Sequence, residues 1–213
     1  MVRHAAGLNS QEYAMKRKHV ALLVVLLLLL DQVIKILVKT HMTIDESIPV
    51  FGKWFYIRFI ENPGAAFGMQ LGGNYGKLAL SLFRIAAVGA LCWFIDRLVK
   101  RGTRPGVIAG FALILAGAIG NIIDSALYGL IFSESTPWAV AQFLPEGGGY
   151  AGFLHGKVVD MLYFPLFSGH YPSWLPRVGG EAFTFFSPIF NAADSYITVG
   201  IIYLLVFHHK YFK

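Results

Sequence analysis

Charge is what this sequence has least of. Asp, Glu, Lys and Arg make up 14% of its 213 residues, well below the roughly 25% of a soluble domain. Hydrophobic residues make up 56% and aromatics 15%, and mean hydropathy is +0.58. That balance excludes an ordinary soluble domain and points to one integral membrane domain over residues 1–213. Cysteine is nearly absent. The one residue, Cys92, lies inside an apolar run; it excludes an internal disulfide and a Cys-based metal cluster, and reads as packing. His155 and His170 lack His-x-x-x-His spacing, so no zinc site is expected. No Gly-x-x-x-x-Gly-Lys-Ser/Thr run is present to cradle a phosphate. No cofactor is expected. Net charge is +6. Nucleic acid is one meaning of such a charge, but the basic residues cluster beside apolar runs, so membrane orientation accounts for it better.

A membrane crossing takes about 20 mostly apolar residues as helix. Four segments qualify, about 19–38, 78–99, 105–125 and 188–207. Pro105 and Pro188 suit a first helical turn, where a missing N–H costs nothing. The first segment begins like a cleavable signal peptide, after Lys16, Arg17 and Lys18. It continues through "DQVIKILVKT" with no small-x-small site, so it reads as a retained anchor. Ten Lys and Arg fall in the two short tails and the 97–104 region, against six in two much longer loops that also hold seven acids. Both termini are therefore placed in the cytoplasm, and the loops at about 39–77 and 126–187 outside. In the first outer loop "WFYIRFI" is a strand signal and "NPG" a turn signal. The predicted fold is four transmembrane helices, a small extracytoplasmic sheet and an extended second outer loop. That second loop is rich in Gly, Pro and aromatics and suits the headgroup interface.

The polar residues of the apolar segments fall at one depth. Asp31 and Lys35 share a face one turn apart in the outer half of the first segment. Arg84 lies about two turns into the second. Asn121 and Asp124 close the third, and Asn191 and Asp194 open the fourth. At about 1.5 Å of rise per residue all seven lie near the outer boundary. Ionisable groups there cost free energy and are functional suspects. Each also has a plainer reading. Asp31 and Lys35 can neutralise each other, Arg84 can reach outward to headgroups, and Asp194 can cap its helix. Asp124 has no such reading, because it sits at the negative end of a helix dipole.

Two carboxyls on separate helices at one depth suggest peptide hydrolysis by an aspartic pair. They cannot both ionise cheaply, so one keeps a proton. The anion takes a proton from water and the acid protonates the leaving amine. Spacing alone does not bring Asp124 and Asp194 together.

Five blocks, "DQVIK" (31–35), "ENPGAAFG" (61–68), "GAIGNIID" (117–124), "KVVDMLYF" (157–164) and "FNAADSYI" (190–197), resemble those of the lipoprotein signal peptidases (signal peptidase II). These are bacterial membrane aspartic proteases. The resemblance implies removal of the signal peptide from diacylglyceryl-modified prolipoproteins, just before the lipidated cysteine. It implies Asp124 and Asp194 as the catalytic pair, and Asn62 and Gly64 in a turn near the substrate. Asn121, Asn191, Asp31 and Lys35 become supporting residues, and Arg84 is placed with them by its depth alone. It further implies a bacterial cytoplasmic-membrane monomer, membrane lipid around the site, globomycin-like peptide inhibitors and no nucleic acid. The outer sheet becomes a cradle on the membrane, with a half-helix in that loop.

The chain departs from the family pattern twice. Ser125 stands where the family commonly has Arg, and Leu130–Gly156 reads as an insertion: a cover, a lid or a contact surface. Asp160 and Glu61 read as solvated or structural acids. Three rivals remain at this level. One is a serine–lysine protease using Lys35 with Ser47, Ser81 or Ser125; one is a small ion- or proton-coupled carrier; one is a plain scaffold.

Overall fold

A computed structural model describes residues 15–63 and 73–212. Three helices are long and apolar enough to cross a membrane. Helix α1 is Arg17–His41, α2 is Gly73–Lys100, and α3 is Pro105–Ile123. A π-helical turn, Asp124–Tyr128, and a last turn, Gly129–Ile131, prolong α3. Helix α4, Ala192–Phe207, is apolar but shorter, at 16 residues. Along α1 the residues Leu22, Leu26, Leu29, Leu30 and Val33 are more than half exposed, as expected where lipid rather than protein covers them.

Helix α3 is the centre of the bundle, packed by α1, α2 and α4. Its seam with α4 is made of small residues. A Cβ on Gly117 would overlap the Ala193 carbonyl oxygen, and one on Gly200 would lie 2.8 Å from the Gly110 carbonyl oxygen. Small residues allow such close backbone approach inside a membrane, where no hydrophobic force drives helices together. Gly117→Leu is expected to force α4 away from α3 and lower both thermal midpoint and activity. A parent-like midpoint in a detergent thermal-shift assay would refute the tight seam.

The predicted strand in the first outer loop is present within Phe55–Asn62, and the sheet also recruits one strand from the second outer loop and one from the start of the fourth predicted segment, where none was predicted. Strands β1 (Ser47–Phe51), β2 (Phe55–Asn62), β3 (Val158–Tyr163) and β6 (Ile189–Phe190) make one antiparallel sheet in the order β1-β2-β3-β6. A separate hairpin pairs β4 (Phe167–His170) with β5 (Ala182–Phe185). The register sets Ile60 against Asp160, Glu61 against Val159 and Asn62 against Val158.

Three sequence expectations need revision. Helix α4 starts at Ala192 rather than at Pro188, because Asn191 caps it by accepting from the Asp194 N–H at 2.9 Å, and Ile189–Phe190 are drawn into the sheet. The third span runs past residue 125 to Ile131, because the π turn continues the helix. The insertion, read as a cover, a lid or a contact surface, packs as a strut against the helices. Its backbone is bonded to α1 (Ala141 N–H to Lys39 O) and to the π turn (Gly156 N–H to Ser125 O), and α2 holds it through Lys77 Nζ on His155 O at 2.6 Å. The expected half-helix has no counterpart among the described residues of the first outer loop, of which residues 64–72 lie outside the description.

Candidate active site

The C-terminal ends of α1 and α3 are joined by a buried polar knot. Lys35 Nζ lies 3.0 Å from Asp31 Oδ2, 2.8 Å from Asp124 Oδ2 and 3.0 Å from Asn121 Oδ1. Asp31, Lys35 and Asp124 are fully buried. Gln32 Nε2 donates to both carboxylates and to Gly120 O, while Gln32 Oε1 accepts from Tyr128 OH at 3.1 Å. Asp31 also takes the Ala193 N–H at 2.9 Å, so a side chain of α1 satisfies a free donor at the start of α4. Two anions around one cation, with every acceptor filled, is how charge survives burial.

Asp124 is therefore committed. Oδ2 accepts from Lys35 and from the Val159 N–H at 3.3 Å, and Oδ1 from Gln32 at 3.0 Å. The π turn that starts at Asp124 is the kind of local distortion that re-aims side chains near functional sites.

A second carboxylate stands beside Asp194 instead, and it comes from the sheet. Asp160 on β3 is 3% exposed. Its Oδ1 accepts from Asn191 Nδ2 at 2.6 Å and its Oδ2 from Asn62 Nδ2 at 3.4 Å. Asp194, half-buried, accepts from Asn121 Nδ2 at 2.8 Å and from the Asn191 N–H at 3.4 Å. Asn191 thus touches both acids, through its amide and its backbone, and its amide also donates to Asn121 Oδ1 at 3.1 Å. Burial and the neighbouring Asp194 charge push the Asp160 carboxyl up to about 7, against the opposing pull of Asn191, Asn62 and Lys35. Of the two readings of Asp160, solvated or structural, the solvated one is corrected: Asp160 lies opposite Ile60 of β2 and is 3% exposed. Glu61, expected to be solvated or structural, is buried against Lys39.

Comparison with known proteins adds the family. The profile of "Signal peptidase (SPase) II" matches residues 23–210. The chain belongs to the signal peptidase II family. A "Lipoprotein signal peptidase" of Porphyromonas gingivalis is 55% identical over 190 residues, covering 89% of this chain and 82% of that one. One of Amoebophilus asiaticus is 37% identical over 179 residues, covering 83% and 71%. A solved bacterial membrane enzyme, obtained by the in meso method, superposes with a TM-score of 0.61 at 25% identity, covering 91% of this chain and 89% of that one.

In this signal peptidase II chain the residues singled out by sequence split into two groups. Asp31, Lys35 and Asp124 form the buried knot, and Asn121 bridges it to Asp194. Asn62, Asn191 and Asp194 gather around Asp160. Half-buried Arg84 on α2 lies within electrostatic range of Asp194 and Asp160. Ser125, buried, only turns its hydroxyl back to Asn121 O at 3.0 Å. Gly64 lies outside the described residues. Sequence reasoning passed over Gln32 and read Asp160 as a solvated or structural acid. A signal for Asp160 was present: an acid inside "VVDMLY" is as out of place as one ending an apolar helix.

Proposed function

We propose that this peptidase removes the signal peptide from diacylglyceryl-modified prolipoproteins just before the lipidated cysteine, and that Asp160 and Asp194, rather than Asp124 and Asp194, activate the water. The observation that carries this is the pair of carboxylates on Asn191, beside an Asp124 whose oxygens are already taken by Lys35 and Gln32. Asp194 lies in the first turn of α4, where the helix dipole favours an anion. Asp160 is the acid that keeps the proton, being buried next to that anion. Asp194 then takes a proton from water, whose oxygen attacks the scissile carbonyl carbon. The C–N bond breaks and Asp160 gives its proton to the leaving amine. No metal and no covalent intermediate enters.

The setting supports the substrate class. The pair sits at the outer ends of the helices, where the scissile bond of a lipid-anchored precursor lies between acyl chains and headgroups. In this reading α4 is a fourth crossing. At about 1.5 Å per residue it spans about 24 Å, and the strand before it and the 3-10 turn after it supply the rest. Both termini then face the cytoplasm of a bacterial inner membrane. The closed polar knot leaves the carrier reading without support.

A gel-shift assay with purified protein tests the proposal. A diacylated lipobox peptide is expected to be cut before its cysteine, with a globomycin-like peptide competing, and the same peptide without acyl chains is expected to be cut far more slowly. Equal rates would overturn the substrate class. The sign of the pH dependence follows from Asp160. Its proton is held up to about pH 7 and lost above, so kcat/KM falls as pH rises through about 7. Stability moves the same way. The folded carboxyl titrates above its ordinary 3.8, so the contribution of neutral Asp160 is complete below about pH 4 and is lost as pH climbs to about 7. A rate still rising at pH 9 would exclude Asp160 as the acid.

A further inference from the structure

Beyond the carboxylate pair and the Lys35 knot, the described residues hold another buried cluster of ionised groups, and the proposed mechanism does not use it. Lys39, at the outer end of α1, is fully buried. Its ammonium donates to Glu61 Oε1 and, at 2.9 Å, to Ser135 Oγ of the insertion. Ser135 Oγ donates to the same Glu61 oxygen at 3.0 Å. Lys157 Nζ stands 3.3 Å from the other oxygen. The Tyr150 ring lies 5.0 Å from the Lys39 ammonium and 5.4 Å from that of Lys157, and the Tyr150 hydroxyl accepts the Lys157 N–H at 2.6 Å. Three separate parts of the chain, α1, β2 and the insertion, meet on one carboxylate.

A buried ion pair is a weak source of stability, because desolvation offsets most of the attraction. What it does well is fix one arrangement. Glu61 and Asn62 are consecutive residues of β2, so their side chains leave opposite faces of the strand. Asn62 faces Val158 across the ladder and reaches along the same face to Asp160 at 3.4 Å. A slip of one residue would swing Asn62 away from Asp160. Phe59, Val159 and Met161, all fully buried, already resist that slip; Lys39 and Ser135, reaching Glu61 from outside the sheet, add a directional restraint on β2.

We infer that the Lys39–Glu61–Ser135 cluster is a positioning device that clamps β2 to α1 and to the insertion, so that Asn62 keeps its hydrogen bond to Asp160. The insertion is thereby part of the active-site frame. The inference rests on Asp160 being one of the reacting pair. The groups facing Asp160 are Asp194 and Asn191 from the start of α4, Asn62 from β2, Lys35 from α1, Arg84 from α2 and, through the Val159 N–H, Asp124. The variants below leave all of these in place.

The test is the pH profile of kcat/KM on a diacylated lipobox peptide. In Glu61→Gln the alkaline limb is expected to move up by about half to one pH unit, the size of one lost neutral hydrogen bond to the carboxylate. kcat falls roughly fivefold to tenfold and KM stays put. Lys39→Met with Glu61→Met removes one charge of each sign, so a shift there is not a through-space charge effect. Apolar replacement of a buried pair commonly preserves folding, which covers the case where Glu61→Gln fails to fold. Lys39→Arg, which keeps a cation on Glu61, is expected to leave the limb at the parent position. An unmoved limb in the folded double variant would overturn the inference and leave the cluster merely structural. Asp160→Asn in the same assay separates the two ideas. If it cleaves with the parent profile, the catalytic reading fails. If it is inactive while the double variant's limb stays put, only the clamp fails.

Discussion

Asp160→Asn is expected to stop cleavage while leaving the protein folded. The amide has the shape of the acid and its oxygen can still accept from Asn191. It cannot hold a transferable proton. Loss of a group that acts on the reacting atoms costs on the order of a thousandfold or more in kcat, and Asp194→Asn is expected to match it. Asp124→Asn is expected to behave differently. Its single amide oxygen can still accept from Lys35, the amide nitrogen then faces Gln32 Nε2 donor to donor so that bond is lost, and Asp31 still balances Lys35. The expected rate loss is within about tenfold, accompanied by a lower thermal midpoint. The gel-shift assay beside a thermal scan reads both. Parent-like cleavage by Asp160→Asn, or a dead Asp124→Asn with an unchanged midpoint, would return the catalytic role to Asp124.

Lys35→Met is expected to be the most destabilising single change. Asp31 and Asp124 are fully buried and share this one ammonium. Removing one partner of a buried network leaves uncompensated charge and costs about 3–5 kcal/mol. At about 2–4 °C per kcal/mol for a chain of this size, the midpoint falls by roughly 6–20 °C. Activity falls with it, because Asp31 also holds the start of α4 through the Ala193 N–H, one residue before Asp194. Asp124→Asn added to Lys35→Met is expected to recover part of the loss, since it removes one stranded anion. If Lys35→Met melts with the parent, the knot is not held by charge.

The architecture was legible where a single rule governs. Helical periods, the β-branched aromatic run and the depth of the polar residues follow from local chemistry, and the Asp31–Lys35 pair follows from a spacing of one turn. The site was only half legible. Two Asn-x-x-Asp motifs at facing helix ends invited pairing their acids. In the fold they interlock differently: Asn121 of one reaches Asp194 of the other, and Asn191 reaches Asn121 and Asp160. Asp160 arrives on a strand, and its depth depends on a register that no helical count predicts. Lys39 shows the same limit. By position it belonged with the outer-loop charges, yet the Glu61–Ser135 contacts that bury it come from residues 22 and 96 positions away.

The glycine seam between α3 and α4 has a consequence for how such a site lives in different membranes. Backbone against backbone, the two helices cannot slide or spread when the surrounding acyl chains lengthen or shorten. A thicker bilayer would submerge the sheet and the strut together while the Asn121–Asp194 contact stayed fixed. In the proposed mechanism the catalytic geometry is thus insulated from lipid composition, and what lipid composition governs is how easily a tethered precursor rises to meet it.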